Sequence, residues 1–455
     1  MTDIPRKTAW RWLCDFERSQ RRLDAIMADY ATSARLQGRD RAFASELCHG
    51  VIRRRRALDV ILSQGVSRPL EKADPKIRNI LRMGLYQAIA MDPAPFAAVN
   101  EAVNLAKADK STRHATGFIN AALRQTLRNI AKAGLDGAPI TDMARAFLPA
   151  GLTPEATLAQ VYSFPDWWAK RWVAQFGEAA AEEVFDRCQS KSPIFIRPNI
   201  NAYTIDEVTA KLVNHGLMVE PFPFNPGLLR ISEGSLPPDS PLVAEGYIQP
   251  QDGASFLAAS LLDAGGQDHA LDICCGKGIK SGLFAQTAQR VTGFDLDHNA
   301  LLLHHINMAR QKINHVDAIQ ANMAQPWPVR GSFSKIFIDA PCSGSGLAKR
   351  HPEGKWRKGE ELITRMSHIQ GSILREGARR LAAGGRLVYA ICSVEKEEGE
   401  ANVNSLLVTD GGLSRIPIAH IRPNLIEFQT DKGDMMILPG QYGMDGFYAA
   451  VLERR

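Results

Sequence analysis

Two stretches of sequence decide the fold: KIFIDAPCSG at residues 335–344 and GRLVYAICSV at residues 385–394. Each is an apolar run that stops at a polar turn, which predicts a buried strand of a parallel sheet. The helix-like sequence between them predicts the order strand, helix, strand. Because parallel strands present reactive groups at their carboxyl ends, Cys342 and Cys392 are expected to face one cleft beside Asp339.

The paired thiols indicate chemistry rather than packing alone. A cleft with two thiols and a carboxylate suits nucleophilic attack on an electrophilic carbon. A single free cysteine is more often inert packing, because free cysteine is among the most buried residue types. Two cysteines at matching strand ends, next to an acid, favour the nucleophilic interpretation.

A second pattern upstream predicts a cofactor site. ALDICCGKG at residues 270–278 reads as a buried strand that enters a glycine-containing turn. A helix over residues 279–289 and a strand over residues 290–295 follow, and that strand ends in Asp295. This order is the first half of a nucleotide-binding α/β fold, in which glycines let the backbone approach the ligand and the acid accepts ribose hydrogen bonds.

The turn favours S-adenosylmethionine over a cofactor with a pyrophosphate. Position 281 is a serine, whereas a dinucleotide motif requires a third glycine there, and no phosphate-binding loop of the Gly-Lys-Thr/Ser type is present. Asn322, which follows a strand at 316–320, is placed to reach the adenine. Asp339 is placed near the methionyl group, and the two adjacent cysteines of the turn are expected to pack under the cofactor.

Bulk composition bounds the class of protein. The chain has 455 residues, too many for one core, with 45% hydrophobic and 23% charged residues. The net charge of +6 permits a polyanion partner. Seven cysteines without a Cys-x-x-Cys pair argue against a disulfide scaffold or a zinc ribbon, so no metal is expected. The absence of an apolar leader or long apolar run predicts a cytoplasmic protein without a membrane partner. A monomer is expected.

Three parts are predicted along the chain. Residues 1–140 have helical spacing throughout and predict an all-helical bundle. Residues 141–245 predict a connector and a small α+β module, and residues 246–455 predict the large α/β domain. The bundle carries a run of arginines at 53–56, with further basic residues at 35, 39, 41, 124 and 128. The run is either a solvated face or a phosphate-contacting surface, and its four adjacent arginines are not expected all to pair internally.

These motifs resemble those of the Sun-type (NOL1/NOP2/Sun) RNA 5-methylcytosine methyltransferases. DAPCSG at 339–344, continued by RHPE at 350–353, is similar to the family's fourth motif, and YAICSV at 389–394 is similar to the sixth. LPG at 438–440 and DGFY at 445–448 look like its closing strands. The helical part resembles the NusB-like RNA-binding domain of the bacterial subgroup that methylates a cytosine of small-subunit ribosomal RNA.

The resemblance implies a fold, a reaction and residue roles. It implies a Rossmann-like S-adenosylmethionine-dependent methyltransferase domain, preceded by a NusB-like domain and a small RNA-binding module. Cys392 would attack carbon 6 of the cytosine, Asp339 would stabilise the ring at N3, and Cys342 would assist release. The cofactor-binding residues would be Cys274, Cys275, Gly276, Lys277, Gly278, Ile279, Lys280, Asp295, Asn322 and Asp339. The RNA partner would be 16S ribosomal RNA or an assembly intermediate.

Two alternatives stay open on sequence alone. Cys275-Gly276-Lys277-Gly278 stands where the family usually has Ala-Pro-Gly-Gly, so the chain could be a catalytically inert RNA-binding ribosome-assembly factor. The enzyme could also act on a cytosine of transfer RNA. Retention of both cysteines and of Asp339 favours an active enzyme, and the NusB-like part favours ribosomal RNA.

Overall fold

The computed structural model describes residues 4–34, 36–91, 94–237 and 239–455, without the side chains of residues 30–34. The basic residue at 35 and the Asp-Pro joint at 92–93 therefore lie outside the described residues. Two compact units are present. The first is Met1–Gln189 with His351–Arg357, and the second is Ser190–Arg350 with Lys358–Arg455. The predicted domain limits at 140 and 245 stay a prediction.

The first unit is built from α-helices among its described residues. They are α1 Ile4–Arg18, α2 Leu23–Ala34, α3 Gly38–Arg53, α4 Arg55–Ser63, α5 Pro75–Ala90, α6 Pro95–Ala108, α7 Thr116–Lys132, α8 Ile140–Phe147, α9 Pro154–Val161, α10 Asp166–Phe176 and α11 Glu178–Arg187, with short 3-10 turns at Leu70–Lys72, Arg113–Ala115 and Gly354–Trp356.

The central helix of this unit, α5, shows why the sequence folds locally. Asp74 caps it by accepting a hydrogen bond from the Lys76 amide at 2.7 Å, and Pro75 occupies the first helical position. Its buried residues Ile77, Ile80, Leu81 and Leu85 recur at intervals of three or four, the spacing of one helix face. Arg82 is also buried and forms ion pairs of 2.7 Å with both Glu17 and Asp59.

The arginine run at 53–56 is used inside the first unit. Arg53 is buried, and burial lowers its pKa. Arg54 donates to the carbonyl of Gln189 at 2.7 Å, and Arg55 lies 3.3 Å from a Glu17 carboxylate oxygen. Arg56 donates to the carbonyl of Phe164 and pairs with Asp166, both at 2.7 Å. Three of the four arginines therefore have partners inside this unit and Arg53 is buried, so the run is not a solvated face. The expectation that the four arginines do not all pair internally stays a prediction.

Basic residues near Cys342 are engaged as well. Lys355 is fully buried in the first unit, where its ammonium donates to the carbonyl of Arg53 at 2.9 Å. Arg357 lies over the ring of Phe16, with its guanidinium carbon 4.0 Å from the centroid. Both side chains are therefore engaged in contacts within the first unit.

One polar cluster of the first unit has the composition of a cation site. Ligand atoms of Asp24, His351 and Glu353 lie within 4.8 Å of one another. The His351 Nδ1 lies 3.3 Å from a Glu353 oxygen. The expectation that the protein binds no metal therefore stays a prediction.

The second unit begins with a four-stranded antiparallel sheet in the order β2-β3-β1-β4. Its elements are β1 Phe195–Pro198, α12 Ile205–Asn214, β2 Met218–Phe222, β3 Asn225–Glu233, α13 Pro241–Ala244 and β4 Ile248–Pro250. Helix α12 starts with a capping box, in which Thr204 and Glu207 satisfy each other's backbone amides. The predicted small α+β module is confirmed.

A larger sheet follows, with the order β10-β12-β9-β8-β5-β6-β7 and β11 paired to β12. Its elements are α14 Gly253–Ser260, β5 His269–Ile273, α15 Ile279–Phe284, β6 Arg290–Asp295, α16 His298–Arg310, β7 Val316–Gln320, β8 Phe333–Asp339, α17 Glu360–Arg379, β9 Leu381–Ile391, α18 Glu400–Thr409, β10 Leu413–Ile416, α19 Ile418–Ile421, β11 Met435–Ile437 and β12 Phe447–Arg454, with 3-10 turns at Ser345–Leu347, Pro423–Phe428 and Gln441–Gly443.

Strands β7, β6, β5, β8 and β9 are parallel, and β12 runs antiparallel to β9. Parallel strands are covered on both faces, which explains their nearly continuous apolar sequences. Strands β8 and β9 are direct neighbours, with Asp339 opposite Ala390. The predicted strand, helix, strand unit is confirmed, and its two cysteine turns leave the same edge of the sheet.

Candidate active site

The two strand-end cysteines meet. The Sγ atoms of Cys342 and Cys392 lie 3.0 Å apart, and both residues are partly exposed. The pairing of the strands continues into the turns, because the Ala340 amide donates to the Ala390 carbonyl at 3.0 Å. The Gly346 amide then donates to the carbonyl of Cys392 at 3.2 Å. Local sheet geometry therefore determines the thiol spacing.

The two thiols are not equivalent. The hydrogen bond with Cys392 raises the pKa of the Cys342 thiol well above its ordinary value, and burial raises it further. Cys342 is thus held as a thiol, which can donate its S–H hydrogen to the Cys392 sulfur. The thiolate, not the thiol, is the form of a cysteine that attacks carbon electrophiles.

A partly buried lysine, Lys280, senses the charge of this pair. The Nζ of Lys280 forms a 2.6 Å ion pair with an Asp339 carboxylate oxygen. Burial lowers the pKa of Lys280, but the neighbouring negative groups, with Asp339 first among them, together outweigh burial, and the net pKa is raised. The negative charge of a Cys392 thiolate raises it too. The ammonium of Lys280 therefore stays charged beside the Asp339 carboxylate.

The serines that directly follow the two cysteines form a buried polar layer with Glu398. Ser343 and Ser393 are buried, with their hydroxyl oxygens 3.3 Å apart. Both hydroxyls donate to the carboxylate of Glu398, which is completely buried. No local sequence pattern marks Glu398 as a site residue. The repeated Cys-Ser pair at the two strand ends was the available signal for it.

The glycine turn after β5 is fixed by Asp295. One Asp295 oxygen accepts from the Gly276 amide, and the other accepts from the Asp297 amide, both at 2.8 Å. Cys274 and Gly278 have left-handed backbones, with φ of 62° and 76°. At Gly278 a side chain has no room, since a Cβ would lie 2.5 Å from a ring carbon of His304.

A buried polar relay lies under this turn. The Ser281 hydroxyl donates to the Asp272 carboxylate at 2.5 Å, and the His304 Nε2 lies 3.1 Å from the same hydroxyl. Burial raises the pKa of Asp272 to about 7 and lowers that of His304 to about 4. Ser281 and His304 thus form the buried polar contacts against which the glycine turn packs. His304 is fully buried, and its Nε2 has the Ser281 hydroxyl as a partner.

A cavity of about 530 Å³ opens at these strand ends. Cofactor pockets commonly have volumes of this order. Its polar lining includes Asp295, Asn322 and Asp339, and its apolar lining includes Met366 and Ile373 from α17. The cavity therefore extends from the acid at the end of β6 to the acid at the end of β8.

Four of the ten predicted cofactor residues line this cavity: Cys274, Asp295, Asn322 and Asp339. Gly276 reaches Asp295 through its amide, and Lys280 reaches Asp339 through its side chain. Cys275 is buried, and its sulfur packs toward Gly293. The roles assigned to these ten residues stay predictions, although the structure brings the main polar groups to one edge of the sheet.

Three family models match successive parts of this chain. The model of the ferredoxin-like domain of RsmF/B-like methyltransferases matches residues 164–235, and the NusB family model matches residues 3–128. The model described as 16S rRNA methyltransferase RsmB/F matches residues 259–453.

Full-length relatives agree with the family models. Ribosomal RNA small subunit methyltransferase B of Vibrio cholerae is 30% identical over 429 residues, which cover 93% of this chain and 92% of that protein. A probable small subunit methyltransferase B of Bacillus subtilis is 27% identical and covers 99% of this chain and 98% of its own length.

Solved structures support the fold. The crystal structure of PH0851 covers 100% of this chain and 99% of its own, with a TM-score of 0.76 and 20% identity. NSun6 of Pyrococcus horikoshii covers 65% of this chain and 99% of its own, with a TM-score of 0.59 and 16% identity.

Together, the family models, the full-length relatives and the fold identify a Sun-type, S-adenosylmethionine-dependent RNA methyltransferase with a NusB domain and a ferredoxin-like module. The chain belongs to the 16S rRNA methyltransferase RsmB/F family. Among the described residues, no helix combines the length and the apolar composition needed to cross a membrane.

Proposed function

We propose that this enzyme methylates carbon 5 of a cytosine in small-subunit ribosomal RNA through a covalent bond between Cys392 and carbon 6. The observation that carries the proposal is the pair of thiols 3.0 Å apart, next to the Asp339 carboxylate at the cofactor cavity. An enzyme that methylates an exocyclic nitrogen or a ribose hydroxyl has no step that uses two thiols.

The donor set of the cavity fits S-adenosylmethionine. Two of the lone pairs on the Asp295 carboxylate accept backbone amides, and a carboxylate has about four, so capacity remains for ribose hydroxyls. Asn322 supplies amide groups for an adenine edge, and Met366 and Ile373 supply apolar surface. When bound, the sulfonium supplies an electrophilic methyl group.

Carbon 5 of cytosine is too weakly nucleophilic to attack that methyl group unaided. In the proposed reaction, the Cys392 thiolate adds to carbon 6, and the displaced electron pair moves toward N3, which takes up a proton from solvent. The Asp339 carboxylate then accepts a hydrogen bond from the N3–H group. Carbon 5 has become enamine-like and takes the methyl group.

Release reverses the addition. The carbon 5 proton leaves to a base, the electron pair of that bond reforms the double bond between carbons 5 and 6, and Cys392 departs as a thiolate. N3 returns its proton to solvent, which restores the neutral ring. Cys342, 3.0 Å away and held as a thiol, lies where it can assist this elimination. The target base must leave its stack to reach these groups, as base-modifying enzymes require.

Mapping of methylated cytosines tests the proposal. Bisulfite sequencing of total RNA should reveal one ribosomal cytosine that loses its methyl group when the gene is deleted. Wild-type protein should restore the mark, and a Cys392→Ala variant should not. A mark lost from transfer RNA instead would support the alternative substrate. No lost mark in any RNA would support an inert assembly factor.

A further inference from the structure

The carboxylate of Glu398 joins the two cysteine turns directly. One oxygen accepts the Ser343 amide at 2.7 Å and the Gln370 side-chain amide at 3.0 Å. The other accepts the Ser343 hydroxyl at 2.6 Å and the hydroxyl of Ser393. Since each serine follows a catalytic-site cysteine in sequence, one side chain holds both turns.

These four hydrogen bonds use the full accepting capacity of a carboxylate. Glu398 is also completely buried, so its oxygens have no route to a substrate proton. A role as general acid or base toward the RNA is therefore excluded by its contacts. Glu398 can therefore affect the reaction only through the residues to which it is hydrogen-bonded.

The position of Glu398 is itself fixed from both sides. The Tyr389 hydroxyl donates to the Glu398 carbonyl at 2.5 Å, which links it to strand β9. The Asn402 side chain on α18 donates to the same carbonyl at 3.2 Å. Gln370, which binds the carboxylate, also donates to the Pro341 carbonyl at 2.8 Å. The carboxylate thus sits in a rigid frame that includes the residue before Cys342.

We propose that Glu398 is a positioning residue that locks the two cysteine turns together, so that Cys342 can act on the adduct formed at Cys392. This inference rests on the proposed covalent function. Without the carboxylate, the serines lose their shared acceptor, and the turns are free to separate. The first attack needs only Cys392, whereas release needs both thiols in the correct relative position. Loss of Glu398 should therefore slow release more than attack.

The charge of Glu398 has a second consequence. Its negative charge is one of the influences that raise the pKa of the Cys342 thiol. Glu398→Gln keeps the size of the side chain but removes the charge, so Cys342 should ionise at lower pH in this variant. Glu398→Ala removes both the charge and the acceptors. The two variants therefore separate electrostatics from positioning.

The experiment compares full-length wild type, Glu398→Gln, Glu398→Ala, Cys342→Ala and Cys392→Ala on protein-free small-subunit ribosomal RNA. Two quantities are measured for each: methyl groups transferred over many turnovers, and the protein–RNA adduct that survives denaturing electrophoresis. Glu398→Ala should lower turnover about 10- to 100-fold and raise the ratio of adduct to turnover, as Cys342→Ala does. For Glu398→Gln we expect intermediate values and a pH profile for adduct release displaced to lower pH.

Glu397→Gln is the matched control, because it makes the same change on the exposed neighbouring residue and should behave as wild type. A purely structural role for Glu398 would reduce the amount of active enzyme but leave the ratio of adduct to turnover unchanged, which would overturn the inference. If Cys342→Ala accumulates adduct and Glu398→Ala does not, only the positioning role fails. If Cys392→Ala still methylates the RNA, the proposed covalent function fails instead.

Discussion

At the scale of single residues, replacing each of the two cysteines should block a different step of the reaction. Cys392→Ala removes the attacking sulfur, so neither methyl transfer nor an adduct is expected. Cys342→Ala leaves attack and methyl transfer possible but impairs elimination, so a protein–RNA adduct should accumulate. Denaturing gel electrophoresis with labelled RNA distinguishes the two. An adduct with Cys392→Ala and none with Cys342→Ala would mean that the roles are reversed.

Asp272 should make stability depend on pH. Its folded pKa of about 7 lies above the ordinary value of 3.8, so the folded state retains the proton longer. The stability that this group contributes is full below about pH 4 and is lost as the pH rises toward 7. Asp272→Asn stays neutral, so its stability relative to wild type should improve between pH 5 and pH 7, by up to about 1.4 kcal/mol per pH unit.

Thermal unfolding midpoints at the two pH values measure this difference. Each 1 kcal/mol corresponds to about 2–4 °C for a unit of this size. Asp317→Asn, an exposed change on β7 of the same sheet, provides the control and should show no comparable trend. A constant difference between Asp272→Asn and wild type across the pH range would contradict the prediction.

At the scale of elements, the turn between β5 and α15 depends on the absence of a side chain at Gly278. Gly278→Ala combines a left-handed backbone, which costs about 1–2 kcal/mol, with a collision against His304. Stability and S-adenosylmethionine affinity should both fall. Gly276→Ala is the matched control, because its φ is 53° but nothing lies within 4 Å of the added carbon. Equal losses in both variants, measured by thermal unfolding and calorimetry, would exclude the collision as the cause.

Element boundaries were predictable where apolar pattern alone determines them. The strand at 290–295 matches β6 in full. The helix predicted over 279–289 ends at Phe284, because the Gln289 amide pairs with the Asp268 carbonyl and turns the chain into β6. LPG at 438–440 was expected to be a closing strand but follows β11, since Gly440 adopts a left-handed φ of 84°.

The polar layer of the site was less accessible to sequence reasoning. The cysteines and Asp339 stand at strand ends that local pattern reveals. Glu398 contacts Ser343 across 55 positions of sequence, and His304 contacts Ser281 across 23. Such pairs depend on how the sheet and its helices pack, and no local period encodes them.

At the scale of the whole molecule, RNA binding should depend on basic residues other than the run at 53–56. Arg124 and Arg128 on α7 are exposed and bind only uncharged side chains of their own helix in the described contacts. The double change to alanine should weaken RNA binding and flatten its salt dependence, since fewer counterions are released. The thermal midpoint should stay close to that of wild type.

Arg56→Ala is expected to give the opposite pattern. It removes bonds to the Phe164 carbonyl and to Asp166, so the midpoint should fall while the salt slope of RNA binding is retained. Filter binding across a salt series, together with thermal unfolding, tests both variants. A reduced salt slope for Arg56→Ala without loss of stability would restore a phosphate-contacting role to the run.

The closeness of the two thiols also makes the site sensitive to oxidation. A disulfide has sulfurs about 2.05 Å apart, so the Cys342 and Cys392 sulfurs need approach by only about 1 Å. An oxidant such as hydrogen peroxide can remove one hydrogen atom from each thiol. The peroxide is reduced to water, and the two sulfurs become bonded to each other as a disulfide. Enzyme in that state has lost its nucleophile and its release group at once. Activity of this protein is therefore expected to depend on the reducing power of its surroundings, and a thiol reductant should restore it.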